Sequence, residues 1–204
     1  MKKFLVEKIL KEKDALIEGH FILSSGLHSD RYVQCAKVLQ YPEIAEQFSK
    51  VLVKKIAARC GLVISPAMGG IIIGYEIARQ LKVHAIFCER ENGVMNLRRG
   101  FEIKKGERCL IVEDVITTGG STKEVIEVVK SYGGKVVGIA SIIDRSVLKN
   151  FSISLLKLNI KTYNQENCPL CKKKIPLVKP GSRTNIRLDC AQRSENDYLQ
   201  KIGC

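Results

Sequence analysis

The 204-residue chain is 45% hydrophobic and 27% charged, with 16 Gly and 5 Pro, a composition that suits one compact domain with a small appendage and excludes disordered and collagen-like chains. No apolar run approaches the roughly 18 residues that a membrane helix needs. Basic residues outnumber acidic ones 34 to 21, a net charge of +13 that concentrates anions and favours phosphate-rich partners, whether nucleic acid or small polyphosphates.

The opening MKKFLVEKIL begins like an export signal, but Glu7 and Lys8 interrupt its apolar stretch, so a cytoplasmic location is expected. Apolar residues over 4–17 recur at helical spacing, with Gly19 where a C-terminal cap belongs, and predict a helix. Residues 20–35 read as two strand-like runs around Ser25-Gly26, a hairpin with a polar tip. Pro42 suits a first helical position, and Ile44, Phe48, Val51, Leu52 and Ile56 form an amphipathic stripe that stops at Gly61. Short continuous apolar runs follow over 62–64, 83–87, 109–112 and 136–143. Runs apolar on both sides suit central strands of a parallel sheet. Helices are expected over 71–81 and 122–132, the second closed by Gly133-Gly134. The alternation predicts an α/β fold, a mainly parallel sheet with helices on both faces, joined to an N-terminal helix and hairpin hood. The expected boundaries are a hood over 1–40, a core over 41–160 and a basic tail over 161–204.

In an open parallel sheet, ligands bind at the carboxyl ends of the strands. The strongest candidate there is Val112-Glu-Asp-Val-Ile-Thr-Thr-Gly-Gly-Ser-Thr122, in which a buried strand ends in Glu113 and Asp114 and a Thr/Gly/Ser turn opens a helix. Backbone N–H groups at such a turn, freed by glycines for close approach, cradle an anion. Carboxylates beside a phosphate would repel it unless they accept hydrogen bonds from sugar hydroxyls, with a metal ion nearby to balance charge. Ser121-x-x-Glu124 also predicts a capping box. Neither a P-loop nor GxGxxG occurs. Ser65-Pro-Ala-Met-Gly-Gly70 forms a second strand-to-helix turn, and Gly69 and Gly70 there suit a second anion. Residues 88–100 hold Arg90, Arg98 and Arg99 in a polar stretch that looks too irregular for a packed element. Arg145, past the last strand, offers a guanidinium fork for a carboxylate.

Residues 112–122 resemble the phosphoribosyl-pyrophosphate (PRPP) signature of type I phosphoribosyltransferases. Taken with Gly19-His-Phe-Ile-Leu-Ser-Ser-Gly-Leu-His-Ser-Asp-Arg31, Ser65-Pro-Ala-Met-Gly-Gly70 and Ile143-Asp-Arg-Ser146, nearly the whole chain resembles the orotate phosphoribosyltransferases. The resemblance implies transfer of phosphoribosyl from PRPP to orotate in UMP synthesis, giving orotidine 5'-monophosphate and pyrophosphate, with Mg2+ on the diphosphate and ribose hydroxyls. It implies PRPP binding by Gly69, Gly70 and Arg90, and by Glu113, Asp114, Val115, Ile116, Thr117, Thr118, Gly119, Gly120 and Ser121. Thr117 and Arg145 would bind orotate. Asp114, Glu113, Arg98 and Arg99 would be catalytic, the two arginines on a mobile loop reaching a neighbouring subunit of a homodimer. That loop departs from better-known members in lacking lysine and histidine, and Ser24 stands where some relatives have a lysine. A nucleic-acid-binding PRPP sensor suits the charge, but no helix-turn-helix extension or aromatic-rich basic patch accompanies it. A transferase for another base would have no use for Arg145 and the 19–31 segment.

Cys35, Cys60, Cys88 and Cys109 stand singly among apolar or helical segments and are expected as buried thiols. Cys168-Pro-Leu-Cys171 has the spacing of zinc or redox chemistry. Zinc needs four ligands and this pair supplies two, leaving Cys190 and Cys204, or the same pair from a second chain, to complete a site. A redox pair is disfavoured outside a βαβ unit, and a thiol turn inherited with the family's tail is the plain alternative.

Overall fold

A computed structural model describes residues 3–23, 25–146 and 152–180 and the backbone of 186–188, so Ser24, Cys190 and Cys204 lie outside the described residues. In chain order the elements are α1 (Lys3–Glu12), β1 (Leu16–Ile22), β2 (His28–Val33), α2 (Ala36–Leu39), α3 (Pro42–Val53), β3 (Leu62–Pro66), α4 (Gly69–Leu81), β4 (His84–Glu91) and β5 (Val94–Leu97). There follow β6 (Arg108–Ile116), α5 (Gly120–Ser131), β7 (Lys135–Asp144), β8 (Ile153–Lys157), β9 (Thr162–Tyr163), α6 (Pro169–Lys172), β10 (Leu177–Lys179) and β11 (Ile186–Leu188). No helix among the described residues is long and apolar enough to cross a membrane. The chain forms two compact units, one of residues 1–17 and 33–159, the other of residues 18–32 and 160–204.

The first unit is built on a six-stranded sheet in the order β5-β4-β3-β6-β7-β8, parallel throughout except for the antiparallel β4–β5 pair at one edge. Side chains alternate across a strand, and the alternation assigns helices to both faces. Leu62 and Ile64 of β3 and Cys109 and Ile111 of β6 share one buried cluster with Val125 and Val129 of α5. Val63 and Ser65 point the other way, against Gly74 of α4. The expected α/β architecture is therefore what this unit adopts. Cys35, Cys88 and Cys109 are buried free thiols, while Cys60 is only half-buried. Burial pushes the thiols of Cys88 and Cys109 up to about 11.

Three expectations are corrected. The opening helix stops at Glu12 rather than Ile17, because Asp14 takes a left-handed φ of 53° and Leu16 and Ile17 enter β1. Gly19 accordingly lies inside that strand, where a Cβ would come 2.9 Å from the Phe21 ring. The amphipathic helix opened by Pro42 ends at Val53, and Gly61 instead joins the sheet by donating to the Arg108 carbonyl at 2.9 Å. Residues 88–100 are a packed hairpin, not an irregular loop: Asn92 and Gly93, at φ 52° and 84°, make the turn between β4 and β5. Asn-Gly is the strongest short hairpin signal, since both central residues need positive φ.

β6 is the strand on which the rest of this sheet is laid, pairing with β3 and β7 and fully buried from Cys109 to Val112. Leu110 sits over Gly138 of β7, whose Cβ would come 3.2 Å from the leucine methyl. Leu110→Ala is expected to remove about 2–5 kcal/mol of unfolding free energy, measured by urea denaturation. Phe4→Ala, at a side chain 78% exposed, is the matched control and should stay within about 0.5 kcal/mol of wild type.

Candidate active site

β6 carries Glu113 and Asp114 out of the core. Glu113 is 6% exposed, and Thr122, fully buried one turn into α5, donates its hydroxyl to Glu113 Oε1 at 2.6 Å. Burial pushes the Glu113 carboxyl up to about 7, opposed by the Thr122 hydrogen bond and reinforced by the neighbouring Asp114 charge. Burial also raises Asp114, against hydrogen bonds from the backbone N–H groups of Val115 and of Asp114 itself. Two carboxylates are thus held at a strand end in which their charge is disfavoured until something positive arrives.

The turn after β3 closes on the same point. Ala67 N–H donates to the Cys88 carbonyl at 2.7 Å, and α4 opens at Gly69 with no side-chain cap. A Cβ on Gly69 would lie 2.5 Å from Asp114 Oδ1, and one on Gly70 would lie 2.8 Å from the Val112 carbonyl. Both glycines are there because any side chain would collide with β6. Their absence of bulk brings the start of α4 against the acidic strand end.

β6 continues through Val115 and Ile116, and the turn after it runs through Thr117 and Thr118 to Gly119, which takes a left-handed φ of 78° and starts α5 at Gly120. Thr117 and Thr118 are exposed. Gly120 N–H donates to Thr118 Oγ1 at 3.4 Å, and the helix has no side-chain N-cap. The capping box expected at Ser121 and Glu124 is therefore not formed. Ser121 falls inside the first turn of the helix because Gly119 reaches the cap position two residues earlier, and the side chain of Glu124 forms an ion pair with Arg90.

β7 supplies the third edge. Arg145 N–H donates to the Ile116 carbonyl at 2.8 Å, which sets Arg145, half-buried, beside the turn that holds Thr117. Asp144, 3% exposed, fixes the chain around it. Its Oδ1 accepts from the Ser146 N–H at 2.8 Å and hydroxyl at 2.7 Å, and its Oδ2 accepts from the Ser152 hydroxyl at 2.8 Å.

Gly69, Gly70, Glu113, Asp114, residues 115–121 and Arg145 therefore stand at the carboxyl ends of three adjacent strands. The other arginines are held on the β4–β5 hairpin. Arg90 donates to the Gly93 carbonyl at 2.9 Å besides pairing with Glu124. Arg98 pairs with Glu91 at 3.2 Å. Arg99 donates from Nε and Nη2 to the two Glu89 oxygens at 3.0 and 3.1 Å, and its guanidinium lies 5.5 Å from the Phe87 ring. Thr122 and Asp144 are the site residues that sequence reasoning missed. Asp144-Arg-Ser146 carried a local signal, an Asp positioned to accept from the backbone two residues on. For Thr122 nothing distinguished the inward hydroxyl from the outward ones of Thr117, Thr118 and Ser121.

Comparisons with known proteins bear on this geometry. Residues 40–162 match the model of the phosphoribosyl transferase domain. The chain is 58% identical over 188 residues to the orotate phosphoribosyltransferase of Caldanaerobacter subterraneus subsp. tengcongensis, covering 90% of this chain and 99% of that protein. Against the orotate phosphoribosyltransferase of Thermotoga maritima the identity is 54% over 187 residues, covering 88% and 98%. Among solved structures, orotate phosphoribosyltransferase from Aeropyrum pernix superposes with a TM-score of 0.63 at 26% identity, over 75% of this chain and 93% of that one. Adenine phosphoribosyltransferase from Thermoanaerobacter pseudethanolicus shares the fold, with a TM-score of 0.60 at 20% identity over 73% and 99% of the two chains. The matched segment contains every strand end that builds the site, and this chain belongs to the phosphoribosyl transferase domain family.

Proposed function

We propose that this chain transfers the phosphoribosyl group of PRPP to N1 of orotate, releasing pyrophosphate and forming orotidine 5'-monophosphate. The observation that carries it is the meeting of an acidic strand end, Glu113-Asp114, with glycine-shaped turns at 69–70 and 119–120 and with Arg145 on the next strand. Relatives at 54% and 58% identity that are named orotate phosphoribosyltransferase support orotate as the acceptor. The bond from ribose C1 to pyrophosphate oxygen breaks, the bond from C1 to orotate N1 forms, and the N1 proton leaves to water.

In this reading the N–H groups of the two turns hold the phosphates, with Arg90 beside them. Glu113 and Asp114 accept hydrogen bonds from the ribose hydroxyls, and their buried charge stabilises the oxocarbenium character that develops on the sugar. Arg145 clamps the orotate carboxylate next to Thr117. Two desolvated carboxylates, oxygen donors only, suit a hard dication brought by the substrate. Glu113 and Asp114 would hold Mg2+ brought with the substrate, which would supply positive charge to ease departure of pyrophosphate. Each tenfold in rate needs about 1.4 kcal/mol of preferential stabilisation, and Arg98 and Arg99 add to it once they leave Glu89 and Glu91. Exposed Met68, Ile72 and Tyr75 follow one side of α4, an apolar stripe at helical spacing that suits burial against a second copy of the chain. The setting in this reading is the cytoplasm, where thiols such as Cys35, Cys60, Cys88 and Cys109 stay reduced.

Mixing the protein with orotate, PRPP and Mg2+ and following loss of orotate absorbance tests the reaction directly. Asp114→Asn should cut turnover by about 100-fold or more with no loss of melting temperature, because burial already disfavours its charge. Unchanged kinetics would remove Asp114 from the site. For Glu113 the folded carboxyl, at about 7, lies above its ordinary value of 4.5. Its contribution to stability is thus complete below pH 4.5 and lost as the pH rises through 7. Glu113→Gln should match wild type at pH 4 and exceed it at pH 8.5 by up to about 3 kcal/mol, while losing turnover.

Arg145→Ala should raise KM for orotate by about 10- to 100-fold, the worth of a charged hydrogen bond, and leave KM for PRPP nearly unchanged. Equal losses for both substrates would make Arg145 structural. Ile72→Glu should convert the dimer to monomer in sedimentation velocity. A wild-type chain that already sediments as a monomer would exclude the dimer.

A further inference from the structure

The described residues of the second unit form almost no apolar core. Among its described residues Phe21 and Cys168 are the only buried apolar side chains, and the other buried ones are His20, His28 and Ser29. So small a unit ordinarily needs disulfides or a metal to hold its fold. Cys168 and Cys171 form no disulfide.

Three of those buried groups converge with Cys171. β1 brings His20 and β2 brings His28 across the hairpin. Cys168 precedes α6 and Pro169 opens it, which sets Cys171 within the same turn. His20 Nε2 lies 2.9 Å from His28 Nδ1, 3.5 Å from Cys168 Sγ and 3.6 Å from Cys171 Sγ. His28 Nδ1 lies 3.3 Å from Cys171 Sγ. All four ligand atoms fall within 4.8 Å of one another. A tetrahedral ion with bonds of about 2.0 Å to nitrogen and 2.3 Å to sulfur has edges of about 3.3 Å N–N, 3.6 Å N–S and 3.8 Å S–S. The three N–S contacts, 3.3 to 3.6 Å, lie close to that edge, and the N–N contact, at 2.9 Å, is 0.4 Å shorter than its edge.

The hydrogen bonding leads to the same assignment. His20 Nδ1 lies 2.8 Å from the Ile175 carbonyl, an oxygen that can only accept, so the proton sits on Nδ1 and Nε2 carries a lone pair. That single lone pair faces the His28 nitrogen and both sulfurs. Hydrogen bonding alone satisfies one of those three contacts, whereas a cation at the centre satisfies all of them.

We propose that His20, His28, Cys168 and Cys171 form a tetrahedral zinc site that staples the β1–β2 hairpin to the C-terminal segment. Zinc binding releases the two thiol protons to solvent, and two thiolates then balance the dication, so the buried site carries no net charge. Sulfur and imidazole ligands select zinc over magnesium or calcium. Four protein ligands leave no open position, which makes the ion structural. The histidine–cysteine pairs it bridges are 140 to 151 residues apart, so one ion closes a very long loop in a unit whose described residues bury few apolar side chains. A cavity of about 1340 Å³ bordered by His20, His28, Cys171, Lys174 and Ile175 gives the ion a way in. A redox role for the Cys-Pro-Leu-Cys turn suits the geometry less, since Cys168 is fully buried and a reactive thiolate needs access.

The test uses the full chain, expressed with zinc in the medium and purified without chelator. Elemental analysis should find about one zinc per chain. Exchange for Co2+ should give the intense visible bands and thiolate charge transfer of a tetrahedral sulfur–nitrogen site. Cys171→Ser and His28→Ala should each lose the metal, and Cys60→Ser should keep it. A chelator should open residues 160–180 to protease while residues 62–144 stay protected. Absence of zinc together with absence of cobalt bands would overturn the site, as would a Cys168–Cys171 disulfide in its place. Half an equivalent would mean a site shared between chains, overturning the single-chain assignment. Zinc removal that exposes nothing to protease would overturn its role as a staple. None of these outcomes depends on the orotate reaction.

Discussion

The close approach of Gly69 to the Asp114 carboxylate is the contact on which the site depends. α4 can begin where it does only because positions 69 and 70 carry no side chain, and β6 can carry a carboxylate at Asp114 only because α4 leaves room for it. Parallel pairing of β3, β6 and β7 in register brings the carboxyl ends of all three strands to one edge. Helix starts then follow from two of those ends, and a guanidinium from the third. The reactive edge is a consequence of strand direction. Residues remote in sequence, such as 69, 114 and 145, come to one edge because each lies at or just past the carboxyl end of a strand of the same sheet.

The electrostatics of that edge are inverted relative to the protein as a whole. A chain of net charge +13 places two carboxylates where burial disfavours their ionisation, and the arginines that would favour it are occupied elsewhere, on Glu89, Glu91 and Glu124. Such a site is poised to gain from a ligand that brings hydroxyl donors or positive charge. Any ligand that favours the charged form of Glu113 is linked to its ionisation, since a group held up near 7 changes charge close to neutral pH. The hairpin arginines are already held in ion pairs, so any other role for them costs the pairs they make. Those pairs are exposed and individually weak, which keeps that cost small.

The two units solve the problem of stability differently. The first buries a continuous apolar core around β6, with Leu110, Ile111 and Val112 fully inside. Among its described residues the second has too few buried apolar side chains for that, and those that are buried are two histidines, a serine, a phenylalanine and a cysteine. Polar groups in so small an interior must be satisfied or they cost more than they contribute. Convergence of imidazoles and thiols at metal-ligand distances is the arrangement that turns this poverty of apolar surface into a fold.

The amino-acid sequence by itself determined the alternation of buried strands and helices, the acidic end of β6, the glycine turns and the arginine past β7. Each is a local pattern of burial, charge or backbone freedom, readable within a dozen residues. The β4–β5 hairpin was readable too, from Asn92-Gly93, but its three arginines suggested an exposed loop. The cross-strand pairing to carboxylates that holds them was not visible in their spacing. Only tertiary structure decided that Thr122 would be the hydroxyl turned inward to Glu113, and that Asp144 would anchor the turn carrying Arg145. Only tertiary structure could join His20 and His28 to Cys168 and Cys171, because no period or motif spans 140 to 151 residues. Local physics sets which conformation each segment prefers. Which segments meet is set by how the whole chain buries its apolar surface and satisfies its polar groups, a condition that no single window of sequence contains.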